Sequence, residues 1–209
     1  MHRQNVIAAG LLSLVFVLVV TVGYAKGWGP LGLLNVGVTR LAGGSNQIVS
    51  SDSLVSESES PIAPQLASGT WINSEPLTLK SLRGRVVLIE FWTFGCYNCR
   101  NTLPFVKRWH GRYGDKGLTI IGVHSPELVG ERKIENVRRE VASLGIKYPV
   151  VTDNDYATWK AYGVEAWPTI FVLDKTGRVR WKHVGEGAYE ETEQIIHKLL
   201  DEDAKKPAE

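Results

Sequence analysis

From Val6 to Tyr24 the chain is apolar apart from Ser13 and Thr21, and after Arg3 no charge appears until Lys26. At about 1.5 Å rise per residue, a helix over this run comes close to the roughly 30 Å hydrocarbon core of a bilayer. The basic residue on its N-terminal side predicts an N-in, C-out orientation. Two readings stand for residues 1–25. One is an uncleaved anchor. The other is a secretory signal cut after Ala25, where Gly23 and Ala25 are small enough for a peptidase. The length of the run favours the anchor, and both readings export the rest of the chain. Residues 26–63 change character: glycines 32, 37, 43 and 44 interrupt a mildly apolar stretch, and a Ser/Glu-rich run precedes Pro61. This composition buries little apolar surface and predicts a flexible linker.

A folded domain is predicted over 64–200, followed by a charged tail at 201–209. Trp71-Ile72 and Leu77-Thr78-Leu79 suggest a short hairpin. Arg85 to Trp92 is nearly continuously apolar, as in a central strand buried on both faces. A helix is predicted from Tyr97 to Tyr113, a strand from Leu118 to His124, and a helix from Glu131 to Leu144 through Ile134, Val137, Val141 and Leu144. A short strand at Tyr148–Val151 and a short helix at Tyr156–Tyr162 come next. Thr169–Leu173 and Val179–Val184 read as a hairpin across the turn sequence Asp174-Lys175-Thr176-Gly177, and Ala188–Leu200 as the closing helix. Alternating strands and helices followed by a hairpin predict an α/β domain: a mixed central sheet flanked by helices on both faces.

The net charge is +2, with 24 basic against 22 acidic residues, which gives no case for nucleic acid as a partner, since that calls for a clustered basic surface. Only two cysteines are present, Cys96 and Cys99. Two cannot build a disulfide framework, nor a four-ligand zinc site unaided. Closing so short a loop adds little stability, so the pair is better suited to chemistry.

The pair sits where the strand ending at Trp92 gives way to the helix beginning at Tyr97. A cysteine at a helix N-terminus faces unpaired backbone N–H groups and the positive end of the dipole, both of which favour the thiolate, the nucleophilic form. Cys96 is therefore the expected attacking thiol. Cys99, one turn on, can attack a mixed disulfide on Cys96 and release the product, and Arg100 adds nearby positive charge. Covalent haem attachment needs His where Arg100 stands. A copper or zinc site would have to recruit His124 or His183, and nothing in the spacing places either one. Thr93 precedes Cys96 by the three positions that some thiol peroxidases use, but Ile89 stands where their proline belongs. Glu90 is the lone charge in an apolar strand. Buried there, its carboxyl should ionise less readily and can exchange a proton with Cys99.

The segment FWTFGCYNCR, with GVHSPE at 122–127, DNDYATWKAYG at 153–163 and GEGAYEETE at 185–193, resembles thioredoxin-fold thiol–disulfide oxidoreductases of the TlpA/ResA-like group, in particular the thioredoxin-like domain of DipZ-type proteins. The likeness covers about 64–200. It implies a thioredoxin fold with an inserted strand–helix segment, and reduction or exchange of disulfides in exported proteins, in some relatives during cytochrome c maturation. It implies no cofactor and a membrane thiol as electron donor. It places Glu90 at the buried acid of the fold, Pro104 at the proline of the active-site helix, and Pro168 at the cis-proline opposite the dithiol, with Trp92 and Trp167 flanking it as substrate-binding residues. His124 is read as structural. No lysine partner for Glu90 is found in Leu118–Val123. The reading is a membrane-anchored extracytoplasmic oxidoreductase, held to the membrane by its N-terminal helix and acting on disulfide-containing exported proteins. A thiol peroxidase or a copper-handling module of the same fold is the alternative.

Overall fold

All seven residues of β2 (Val86–Trp92) are buried. This reflects its place in a six-stranded sheet, in a computed structural model that describes residues 54–202. The other strands are β1 (Trp71–Ile72), β3 (Leu118–His124), β4 (Val150–Thr152), β5 (Thr169–Leu173) and β6 (Val179–Val184), in the order β1-β4-β3-β2-β5-β6. β2, β3 and β4 run parallel, whereas β1 pairs antiparallel with β4, and β5 antiparallel with both β2 and β6. Helices α1 (Tyr97–Tyr113), α2 (Ile134–Ser143), α3 (Ala157–Ala161) and α4 (Tyr189–Asp201) complete the domain.

The period of two along β2 sorts its side chains. Val86, Leu88 and Trp92 join one core with Leu103, Val106 and Trp109 of α1, Val137 and Val141 of α2, and Ile196 and Leu199 of α4. Val87, Ile89 and Phe91 face a second core with Leu79, Leu82, Tyr162 and Phe171. The expected mixed sheet with helices on both faces is therefore present, and α2–β4 is the inserted helix–strand crossover between β3 and α3.

Four expectations are corrected in detail. Trp71-Ile72 does not form a hairpin with Leu77–Leu79: it pairs with Val150 and Val151, while Leu77–Leu79 runs into turns that bury Leu79 and Leu82. Asn73, at φ 66°, turns the chain there and donates its amide to the carbonyls of Ile146 and Tyr148. The helix expected from Glu131 starts at Ile134, because Glu131 lies in a separate 3₁₀ turn, Val129–Arg132. The strand expected from Tyr148 starts at Val150, since Pro149 has no N–H for the ladder and only its carbonyl is used, by the Gly122 N–H at 2.9 Å.

Finally, the described end of the expected linker, 54–63, lies against the domain. The Val55 N–H donates to the Arg180 carbonyl, Arg180 Nε donates back to the Val55 carbonyl, and Ile62 bridges Arg178 antiparallel. This segment runs along β6, the edge strand, and satisfies backbone groups that an open edge would expose. The expected membrane segment, the rest of the linker and most of the charged tail lie outside the described residues.

Candidate active site

Cys96 caps the N-terminus of α1 with extended backbone, φ −73° and ψ 120°. Its Sγ accepts the Cys99 N–H at 3.1 Å, one of the donors a helix start leaves without a backbone partner. The two cysteines form a disulfide, with Cα atoms 5.3 Å apart. Cys96 is 9 % exposed and Cys99 2 %, so the less deeply buried cysteine is the one expected to attack. Arg100 does not lean on the dithiol. Its Nε donates to the Phe94 carbonyl at 2.9 Å, and its guanidinium approaches Glu140 at 3.9 Å.

Beneath the helix, Glu90 is 1 % exposed and accepts a hydrogen bond from the Tyr148 hydroxyl at 3.0 Å. It lies between Leu88 and Trp92 on the same face of β2, so its side chain points toward the core that contains Cys99. Burial pushes its carboxyl up to about 7, and the Tyr148 bond pulls it part of the way back. Tyr148 was not singled out by sequence. It reaches Glu90 because the residue paired with Glu90 across β3 is Gly122. A Cβ at Gly122 would meet Trp92 Nε1 at 2.8 Å and Tyr148 Cε2 at 3.2 Å. A glycine inside an apolar strand marks such a close approach, and that signal is present in the sequence.

Trp92 was expected to flank the dithiol, and the structure places it in the core beside the two cysteines. It is 2 % exposed, below the dithiol in the core that holds both cysteines, with its ring edge-on to His124 at 5.4 Å. Trp167 is half-buried against the same core, donates its indole N–H to the Ser125 carbonyl at 3.0 Å, and packs on Trp159 at 4.4 Å. The Trp167–Pro168 peptide is cis, and Pro168 leads directly into β5. Pro104 lies within α1.

Thr93 and His124 are fully buried, with Thr93 Oγ1 3.2 Å from His124 Nε2. Burial pushes the His124 imidazole down to about 4, against the pull of the Glu131 charge. Its ring also stacks on Phe94 at 5.5 Å. Thr93, on which the peroxidase alternative rests, thus faces a core histidine. Glu131, 2 % exposed, was also missed by sequence. One of its oxygens accepts the Gly95 N–H, and the other accepts the N–H groups of Glu127 and Leu128.

Residues 62–200 match the Redoxin family. The chain belongs to that family. The chain is 46 % identical over 144 residues to protein DipZ of Mycobacterium tuberculosis, covering 67 % of this chain and 21 % of DipZ. The chain thus spans about a fifth of the length of that relative. The domain is 30 % identical over 130 residues to thiol-disulfide oxidoreductase ResA of Bacillus thuringiensis, covering 62 % of this chain and 72 % of ResA. Among solved structures it is similar to a thiol-disulfide isomerase from Corynebacterium glutamicum, with a TM-score of 0.64 and 28 % identity over 70 % of this chain and 99 % of that one. The Redoxin domain is therefore a thioredoxin-fold thiol–disulfide oxidoreductase of the TlpA/ResA-like group.

Proposed function

We propose that the protein is held in the membrane by the apolar run at 6–24 and reduces or exchanges disulfides of exported proteins on the extracytoplasmic side. Cytochrome c maturation is one setting that the family resemblance supports. The observation that carries the chemistry is the Cys96–Cys99 disulfide at the start of α1, with the less deeply buried cysteine on the helix cap and the other in the core toward which Glu90 points. In the reducing direction, the Cys96 thiolate attacks a client disulfide sulfur and expels one client thiolate, leaving a mixed disulfide. Cys99 passes its proton to Glu90 and attacks Cys96 Sγ, which releases the second client thiolate. Two electrons have then moved to the client, and the enzyme is left as the observed disulfide, to be reduced again by a membrane thiol donor. Trp167 and Pro168 border the approach for an extended client. Pro168 contributes no N–H at the head of β5, which leaves the neighbouring backbone free for strand-like pairing.

The test is insulin reduction by the pre-reduced full chain, with membrane association measured after alkaline carbonate washing. Turnover together with carbonate-resistant membrane association supports the reading. An inert dithiol would overturn the activity, and a soluble mature form beginning at Lys26 would overturn the anchor in favour of a signal peptide.

A further inference from the structure

The carboxylate of Glu131 joins two loops that meet at the dithiol. Its Oε1 accepts the Gly95 N–H at 2.9 Å, and its Oε2 accepts the N–H of Glu127 at 2.6 Å and of Leu128 at 2.9 Å. Bonds of this kind, from N–H to a charged acceptor, are the strong ones. Gly95 immediately precedes Cys96, and a Cβ there would stand 2.3 Å from Glu131 Oε1, so only glycine permits the contact. A buried carboxylate thus sits against the Phe94–Gly95 peptide, one before the peptide that enters the nucleophile.

We propose that Glu131 is a positioning residue for Cys96: it fixes the Phe94–Gly95 peptide just before the nucleophile and sets a negative charge on the loop that carries it, which makes the reduced site a stronger electron donor than the helix N-terminus alone would. The physical reason is a contest between two fields. The helix end stabilises a thiolate on Cys96, and a stabilised thiolate makes the disulfide a better oxidant. A like charge beside it opposes ionisation and restores reducing power.

The other groups around the dithiol are engaged elsewhere. Arg100 on α1 is turned to the Phe94 carbonyl and Glu140. His124 on β3 is held neutral by burial. Glu90 on β2 is bonded to Tyr148 below the helix. Glu186, in the loop before α4, accepts from the Asn101 side chain.

This inference rests on the dithiol chemistry proposed above and is read without any client. The midpoint of Cys96 alkylation against pH, and the dithiol-to-disulfide ratio at a fixed glutathione poise, are measured in the full chain and in Glu131→Gln and Glu131→Asp. Glu131→Gln should lower the midpoint by about half a unit or more and raise the ratio about threefold or more. Glu131→Asp keeps the charge and should leave the midpoint in place. A folded Glu131→Gln with an unchanged or raised midpoint overturns the proposal, as does an equal shift in Glu131→Asp. If Glu131→Gln fails to fold, the same coupling is read in the unmodified reduced protein from the carboxyl carbon resonance of Glu131. That resonance should step as Cys96 ionises, and a flat trace overturns the proposal. Failure of insulin reduction with the expected midpoint shift would sink the proposed client chemistry and leave the role of Glu131 intact.

Discussion

Tyr148 donates its hydroxyl to Glu90 across the glycine of β3, at 3.0 Å, with both side chains shut off from solvent. The bond is from a neutral donor, so the carboxyl is oriented without an added charge. Desolvation remains the larger effect and holds Glu90 near 7, where it can both take and give up a proton at neutral pH.

Replacing Glu90 with Gln keeps the shape and removes that proton acceptor. Resolution of a mixed disulfide on Cys96 should slow by roughly 10²-fold at neutral pH, the usual scale for a lost general base. The first attack by Cys96 should barely change. In the unmodified protein the resolution rate should rise with pH through about 7, as Glu90 becomes the carboxylate. In the variant this limb should vanish. Stopped-flow measurement of product release against pH checks it, and superimposable profiles would assign Glu90 a structural role only.

Tyr148→Phe removes the one interaction that lowers the Glu90 pKa. The rising limb of resolution should therefore move to higher pH while its plateau persists. Gly122→Ala should move the limb the same way, since the added methyl meets Trp92 and Tyr148 and forces them off Glu90. It should also cost stability, about 1–3 kcal/mol for overpacking a filled core. A limb that stays put in both variants would disconnect Tyr148 from the titration.

Two buried groups should pull stability in opposite directions with pH. Glu90 titrates at 4.5 when unfolded and at about 7 when folded, so the folded state holds the extra proton and stability falls as pH rises through that window. His124 titrates at 6.5 unfolded and at about 4 folded, so the unfolded state takes the proton first and stability rises with pH through its window. Each effect is on the order of 3 kcal/mol, so the two nearly cancel where the windows overlap. Urea midpoints of the disulfide form, taken from pH 4 to 8, should be flat over the overlap in the unmodified protein. They should climb with pH in Glu90→Gln and fall with pH in His124→Asn. Flat curves in both variants would contradict the burial argument.

How much of this was legible depended on the sequence distance of the partners. β2, α1, β3 and the β5–β6 hairpin follow from local periodicity and turn chemistry, and the Cys96–Cys99 spacing at a strand-to-helix junction exposed the dithiol. Glu90 stood out as a charge inside an apolar strand. Its partner Tyr148 lies 58 residues away, and Glu131 finds Gly95 across 36. No periodic pattern carries such pairings. Glu131 also looked like the first residue of an amphipathic helix, and only the fold shows its side chain turned back to three backbone N–H groups. Trp92 read as a flank of the dithiol, and only the fold shows it 2 % exposed in the core that holds both cysteines.

The asymmetry between the cysteines yields the last prediction. Cys96 sits on the helix cap at 9 % exposure, whereas Cys99 lies one turn on and deeper, at 2 %. In the reduced protein, alkylation at neutral pH should label Cys96 first, and Cys96→Ser should abolish exchange. Cys99→Ser retains the attacking thiol but lacks the group that displaces the client, so it should accumulate a mixed disulfide on Cys96. Mass spectrometry of the trapped species reads both points, since the adduct must map to the peptide that contains Cys96. Because Glu90 acts on Cys99, the Glu90→Gln and Cys99→Ser variants should stall at the same covalent stage. Glu90→Gln should drain slowly from it, and Cys99→Ser should not drain at all. Faster labelling of Cys99, or an adduct on Cys99 in the Cys96→Ser variant, would reverse the assignment of the two thiols and remove the reason for a buried acid beneath the helix.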